Sequence, residues 1–226
     1  MKYLNGKVVI NLSIILILLI NAFKVEAQKA EVGLRYMPTF TSFDIKSSNG
    51  GVIKGAVTLG FGMGAFLGFN FSEHVGIQGE IIYTSLSQKY KDVDVDRSIN
   101  LRYINIPLLL SLNTGKSNAV NLNVVAGPQL GISVGSSINS SSNDGTTNST
   151  AVLSLKKSDL GFAYGAGLDF GINNARTTRL GIGYRGVLGL IDISDNSTAK
   201  SNDSFYVLDK TQIRTNAAYI GLSFLF

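Results

Sequence analysis

Val57-Thr-Leu-Gly-Phe-Gly-Met-Gly-Ala-Phe-Leu-Gly-Phe-Asn-Phe71 alternates two kinds of residue without a break. Odd positions carry Val57, Leu59, Phe61, Met63, Ala65, Leu67, Phe69 and Phe71, and even positions carry Thr58, Gly60, Gly62, Gly64, Phe66, Gly68 and Asn70. A period of two means an extended strand with two chemically distinct faces. The run exceeds the ~5–6 residues usual for a soluble strand and suits the ~9–11 tilted residues that cross a bilayer. A row of glycines buries no side chains in a soluble core. Inside a narrow barrel it leaves room for bulky neighbours. The apolar face therefore belongs to lipid and the glycine face to a lumen.

Working outward, the same pattern recurs seven times. Ala30, Val32, Leu34 and Tyr36 alternate with Glu31, Gly33 and Arg35. Val75, Ile77, Ile81 and Tyr83 oppose Gln78, Glu80 and Thr84. Ile104 to Leu112 at even positions oppose Tyr103, Asn105, Pro107 and Ser111, and the missing donor of Pro107 predicts a bulge or irregularity there. Val120, Leu122, Val124, Ala126, Leu130 and Ile132 oppose Asn121, Asn123, Gly127, Gln129 and Ser133. Leu160, Phe162, Tyr164, Leu168 and Phe170 face away from Asp159, Gly161, Gly165, Gly167 and Asp169. Leu180, Ile182, Tyr184 and Leu188 do the same against Arg179, Gly181, Gly183 and Arg185. The last segment sets Ile220, Leu222, Phe224 and Phe226 to lipid and Tyr219, Gly221 and Ser223 to the lumen. Its Tyr219, Gly221, Phe224 and Phe226 look like the C-terminal signal read by the outer-membrane barrel-assembly machinery.

Eight segments make the even count of a single-chain outer-membrane barrel. No later stretch is apolar for the length of a membrane helix, and only helices and closed barrels satisfy their backbone in lipid. The connectors carry an independent signal. Short ones at 72–74, 113–117 and 173–177 alternate with long polar ones at 44–55, 87–98, 136–157 and 192–211. Short periplasmic turns and long external loops give that alternation. A soluble lipocalin-like barrel would invert the faces. Charges sharing a strand face with glycines argue against it.

The first residues read as a cleavable secretory signal. Lys2 and Lys7 precede an apolar run from Val8 to Phe23, then Val25-Glu26-Ala27 and Gln28. The expected organisation is a signal over 1–27 and one barrel domain over 28–226, with a retained anchor as the rival for the leader. Without Cys there is neither lipid attachment nor a disulfide framework. Cleavage after Ala27 removes three lysines and one glutamate, taking the formal charge from +5 to +3. That small excess, unclustered, excludes a nucleic-acid binder.

Leu101-Arg-Tyr-Ile-Asn-Ile-Pro-Leu-Leu-Leu110 resembles a segment of the PorT-like, porin-family outer-membrane β-barrel proteins, with Asn105 where an acidic residue is common. Gly79-Glu80-Ile-Ile-Tyr83 and Val125-Ala-Gly127-Pro128 resemble further family segments. The resemblance spans the mature chain and implies an all-β, eight-stranded antiparallel barrel in the outer membrane of a Gram-negative cell. It implies location better than activity.

Six charges face the lumen: Glu31, Arg35, Glu80, Asp169, Arg179 and Arg185. They line an ion path or form an internal ion-pair network. An eight-stranded interior is just wide enough to fill with side chains, which favours the network. Glu80 and Asp169 are expected near mid-strand, contacting at least one of the arginines. Catalysis is not expected, because the single histidine, His74, sits in a turn with no nucleophile beside it. The spaced glycines lie within strands and are not phosphate loops. Asp92, Asp94 and Asp96 offer oxygens on one side of a loop but lack the turn and bidentate glutamate of a calcium loop. No cofactor or metal is expected. Lys89, Lys91, Arg97, Arg102, Lys156, Lys157, Lys210 and Arg214 lie near the outer rim, where they can pair with lipopolysaccharide phosphates. Residues 136–150 are rich in Ser, Asn and Thr and read as a mobile loop. The expectation is a monomer in outer-membrane lipid with a structural or surface-interaction role and passive small-solute passage as a second property. The alternative is an accessory component of a protein-secretion system.

Overall fold

A computed structural model of the chain describes residues 30–46, 52–54, 58–92, 95–142, 156–191 and 213–226. The expected signal over 1–27 and the connector 192–211 lie outside them. Eight long strands run in chain order: β1 Ala30–Lys46, β2 Thr58–Asn70, β3 Val75–Asp92, β4 Val95–Asn113, β5 Val120–Ser142, β6 Ser158–Gly171, β7 Thr178–Gly189 and β8 Ile213–Leu225. Each pairs antiparallel with the next, and β8 returns to β1 with Phe224 opposite Val32 and Thr215 opposite Thr41. The sheet closes on itself, and among the described residues the ends of β3 and β5 that run past the barrel, beyond Ser85 and Ile132, pair on one side alone. A short strand, Val52–Lys54, folds back on the outer end of β1.

The barrel is inside-out relative to a soluble protein. Leu34, Leu59, Leu67 and Ile81 are 58–66% exposed, whereas Glu31, Arg35, Gln78, Glu80 and Asn121 are buried. This excludes the lipocalin arrangement. Toward the outer side Phe40, Phe61, Tyr83, Phe162 and Tyr184 face outward, and at the periplasmic end Phe69, Phe71, Phe170, Phe224 and Phe226 do so. Aliphatic residues such as Ala65, Ile81, Leu108 and Ile182 lie between these two aromatic belts. Aromatic girdles flanking an apolar band mark the two interfaces of a membrane barrel.

Three expectations need correction. The register holds through Pro107: Asn105, Ile106 and Pro107 face Gly131, Leu130 and Gln129, and Leu110 faces Ala126 in the same phase. The missing donor interrupts pairing with β3 around Glu80 and Ile81 without shifting it. The bulge lies at Arg102/Tyr103, where Val134 is the extra residue on β5. Much of the expected external loops is also strand. Residues 87–92 and 95–100 pair antiparallel, with Lys89 opposite Ser98 and Lys91 opposite Asp96, and β5 continues to Ser142. The ladder continues there without the apolar alternation that marks the membrane-spanning strands. Finally, the lumen is not lined by small and polar groups alone. Leu109, Val125 and Ala163 form one inward apolar cluster, and Met37, Ile82, Ala217 and Tyr219 another. Neighbouring glycines leave volume that these side chains fill.

Candidate functional site

The period-two pattern that sends leucines to lipid sends Arg35 on β1, Glu80 on β3 and Arg185 on β7 into the lumen at mid-barrel. Glu80 accepts Arg35 Nη1 at 2.5 Å and Arg185 Nη2 at 2.9 Å. Gln78 Nε2 donates to the same carboxylate, and Arg185 Nη1 approaches its second oxygen at 3.4 Å. The Arg35 guanidinium lies between two rings, 4.2 Å from the centre of Phe66 and 4.8 Å from that of Tyr219. Such stacking adds cation–π attraction to the ion pair. All three charged side chains are at most 8% exposed. Two cations and one anion thus cross-link three walls of the barrel.

The rings fit because the facing residues are glycines. A Cβ at Gly183 would meet Tyr219 Cζ at 2.7 Å and Gly167 Cα at 2.6 Å, and one at Gly167 would strike the Tyr219 hydroxyl. Gly183→Ala is therefore expected to cost about 1–3 kcal/mol by overpacking, read as a lower urea-unfolding midpoint in lipid vesicles. An unchanged midpoint would mean that Tyr219 is not fixed in this slot.

A second layer closes the periplasmic end. The turn 114–119 folds into the lumen instead of hanging below it. Gly115, at φ +148°, supports that path, and its N–H donates to Asn121 Oδ1 at 3.1 Å. Lys116, 4% exposed, reaches Glu31 at 2.6 Å and Asp169 at 3.9 Å. Asn121 donates to Asp169 and Asn113 at 3.1 and 3.0 Å. Asp169 is consequently at the periplasmic end and pairs with a lysine and an amide, not an arginine at mid-strand. Arg179, fully buried, meets no carboxylate among the described residues. It donates to the carbonyls of Lys116 at 2.9 Å, Asp169 at 3.0 Å, Asn118 at 3.1 Å and Arg176 at 3.4 Å, clamping the turn in place. Glu73 in the first turn accepts Ser117 N–H at 2.8 Å, and Arg176 in the third donates to Ser117 O at 3.0 Å. The three periplasmic turns are thus tied together. Lys116 escaped the sequence reading because it lies in a turn.

The remaining sites are placed plainly. His74 is exposed in the 71–74 turn, where Ser72 Oγ accepts its backbone N–H. Asp92 faces Val95 across the hairpin, and Asp94 lies outside the described residues. Tyr219 is buried against Arg35, while Phe224 and Phe226 project outward.

Residues 26–195 match the family model of the outer membrane protein beta-barrel domain. The chain belongs to that family. No curated protein matches it. Among solved structures, OprG from Pseudomonas aeruginosa is 14% identical and aligns over 89% of this chain and 97% of its own, with a TM-score of 0.52. AlkL, solved in DMPC lipid bilayers, is 11% identical over 90% of this chain and 95% of its own, with a TM-score of 0.51. Neisserial surface protein A is 16% identical over 87% and 97%, with a TM-score of 0.48. At these identities the likeness speaks for the fold alone. The family match and the inside-out polarity place this outer membrane beta-barrel domain protein in the outer membrane. The match is to the general barrel family and does not single out its PorT-like branch.

Proposed function

We propose that this barrel is a non-conducting scaffold whose work is done at the cell surface. The observation that carries this reading is the double closure of the lumen, by Glu80 with two arginines at mid-barrel and by Lys116 and Arg179 at the periplasmic end. Solutes that enter from outside meet side chains, not a channel. The external hairpins reach well beyond the apolar band, and they are the part free to differ from other barrels. This reading assigns the chain no catalytic step, and it treats the barrel as a monomer.

Lipopolysaccharide is the partner proposed for the rim. Arg102 within β4, Lys157 just before β6 and Arg214 at the start of β8 are exposed on the long-loop side of the barrel, where phosphate groups would sit. Replacing all three by glutamine should weaken binding of the refolded protein to lipopolysaccharide several-fold and leave neutral lipid binding unchanged. Equal lipopolysaccharide binding by the variant would remove the rim from the account.

The barrel-assembly machinery is the second proposed partner, through Tyr219, Gly221, Phe224 and Phe226. Phe226 is 72% exposed and contributes little to the interior, so its loss should act on assembly more than on stability. Deleting it is expected to lower outer-membrane abundance and raise periplasmic degradation, measured by fractionation. Normal abundance of heat-modifiable barrel would contradict that role.

A further inference from the structure

Polar groups on a lipid-facing wall are costly unless they meet headgroups, and one strip of this wall carries several. The outward series on β8 is Arg214, Asn216, Ala218, Ile220 and Leu222, all exposed. Asn216 pairs with Phe40 of the outer aromatic belt on one side and with Gly186 on the other. Tyr184 Oη donates to Asn216 Oδ1, and the Tyr164 ring lies 6.3 Å from that of Tyr184. Gly186 leaves space for that ring, since a Cβ there would meet the Tyr164 hydroxyl at 2.6 Å. With its oxygen engaged, Asn216 has its amide N–H groups to offer. Arg214 stands one outward position further along the strand, on the long-loop side of the belt.

Toward the short turns the strip becomes a groove. Ala218 pairs with Tyr184 and Pro38 with Phe61, so two short side chains lie next to each other between two rings. Beyond them opens an apolar groove of about 690 Å³, lined by the side chains of Leu34, Tyr36, Met63, Leu180, Ile220 and Leu222. Leu222 is six positions along the strand from Asn216. At about 3.3 Å per residue and a strand tilt of ~40° that is roughly 15 Å of depth, half of a hydrocarbon core of ~30 Å. Leu222 pairs with Leu34, and Leu34 with Ala65 at the midpoint of the outward apolar series on β2. The strip therefore spans one leaflet, from a cationic and amide head to an apolar foot. Long loops of membrane barrels face outward, which makes it the outer leaflet.

We propose that this seam across β7, β8, β1 and β2 seats one lipid A moiety of lipopolysaccharide. A phosphate accepts from Arg214 and the Asn216 amide, and one acyl chain runs over Ala218 and Pro38 into the groove. A free phosphate would use only the head, and a neutral lipid only the foot. The inference rests on the reading of the rim as a lipopolysaccharide contact and deepens it, from separate charges to one seated molecule.

Native mass spectrometry of the refolded barrel, titrated in detergent micelles with diphosphoryl lipid A or with phosphatidylglycerol, counts and ranks the bound lipids. One lipid A per barrel should be retained, about tenfold more tightly than phosphatidylglycerol, because it brings a second phosphate to the same donors. Ala218→Trp fills the low row and should weaken lipid A about tenfold, whereas Leu130→Trp, the same bulk on the opposite wall, should change nothing. Both place an apolar side chain in lipid, where it is compatible with folding. Asn216→Leu is the second variant, expected to weaken lipid A about tenfold through the lost hydrogen bond to a charged group. Four results would each overturn the proposal: no retained lipid A, phosphatidylglycerol held as tightly, affinity unchanged in both seam variants, or an equal loss in Leu130→Trp. Failure of the rim reads differently. A triple glutamine variant that binds lipopolysaccharide like the parent removes the rim, while a weakened triple variant beside unaffected Ala218→Trp and Asn216→Leu keeps the rim and removes the seam.

Discussion

Glu80→Ala should destabilise the folded barrel by about 3–5 kcal/mol, the usual loss when one partner of a buried ion pair is removed. Arg35 and Arg185 would then face each other across the lumen with no anion between them. Glu80 is 1% exposed at its side chain, so water cannot replace the carboxylate without opening the barrel. The loss should change little with ionic strength, because salt screens buried pairs weakly. Replacing the whole triplet by Met or Leu should recover most of the stability, since apolar substitutes for buried ion clusters are often neutral or better. Urea titration in lipid vesicles reads both. A Glu80→Ala barrel as stable as the parent would mean that the two guanidiniums have other partners.

The second large effect concerns the outer face. Ile81 on β3 is 63% exposed and pairs with Ala65, the midpoint of the outward apolar series from Leu59 to Phe71. Ile81→Arg is expected to cost about 2–4 kcal/mol, the figure for a cation at the bilayer midplane. Leu67→Arg should cost less, because Leu67 lies closer to the periplasmic interface, where the penalty fades. Gly68→Ser is expected to be mild. A Cβ there meets Glu31 Cβ at 3.4 Å, an ordinary contact, and a lumen hydroxyl has polar neighbours. If Gly68→Ser were the more damaging change, the polarity of the barrel wall would be reversed.

How much of this was legible depends on which physical constraint each part obeys. Lipid imposes a strict rule on every second residue, so the strands and their faces could be read from Leu34, Leu67, Ile81 and Leu108. The inward charges were legible as exceptions to the glycine face, and Glu80 with Arg35 and Arg185 meet as that face requires. Two things were hidden. Turn residues obey no such period, so nothing local showed that Lys116 folds inward or that Arg179 would bind carbonyls instead of a carboxylate. Residues that do not face lipid are under no such rule, so the pairing through Lys89 and Ser98 has no apolar alternation to mark it as strand. The bulge at Val134 was masked by the more conspicuous Pro107, whose lost donor the barrel absorbs without a shift in register.

Planar-bilayer conductance of the refolded full-length mature protein tests the closed lumen most directly. The account predicts silence under voltage from the parent barrel, because the Arg35–Glu80–Arg185 layer and the Lys116 turn lie in series. Steady single-channel steps from the parent protein would contradict the plug and make the lumen a pore.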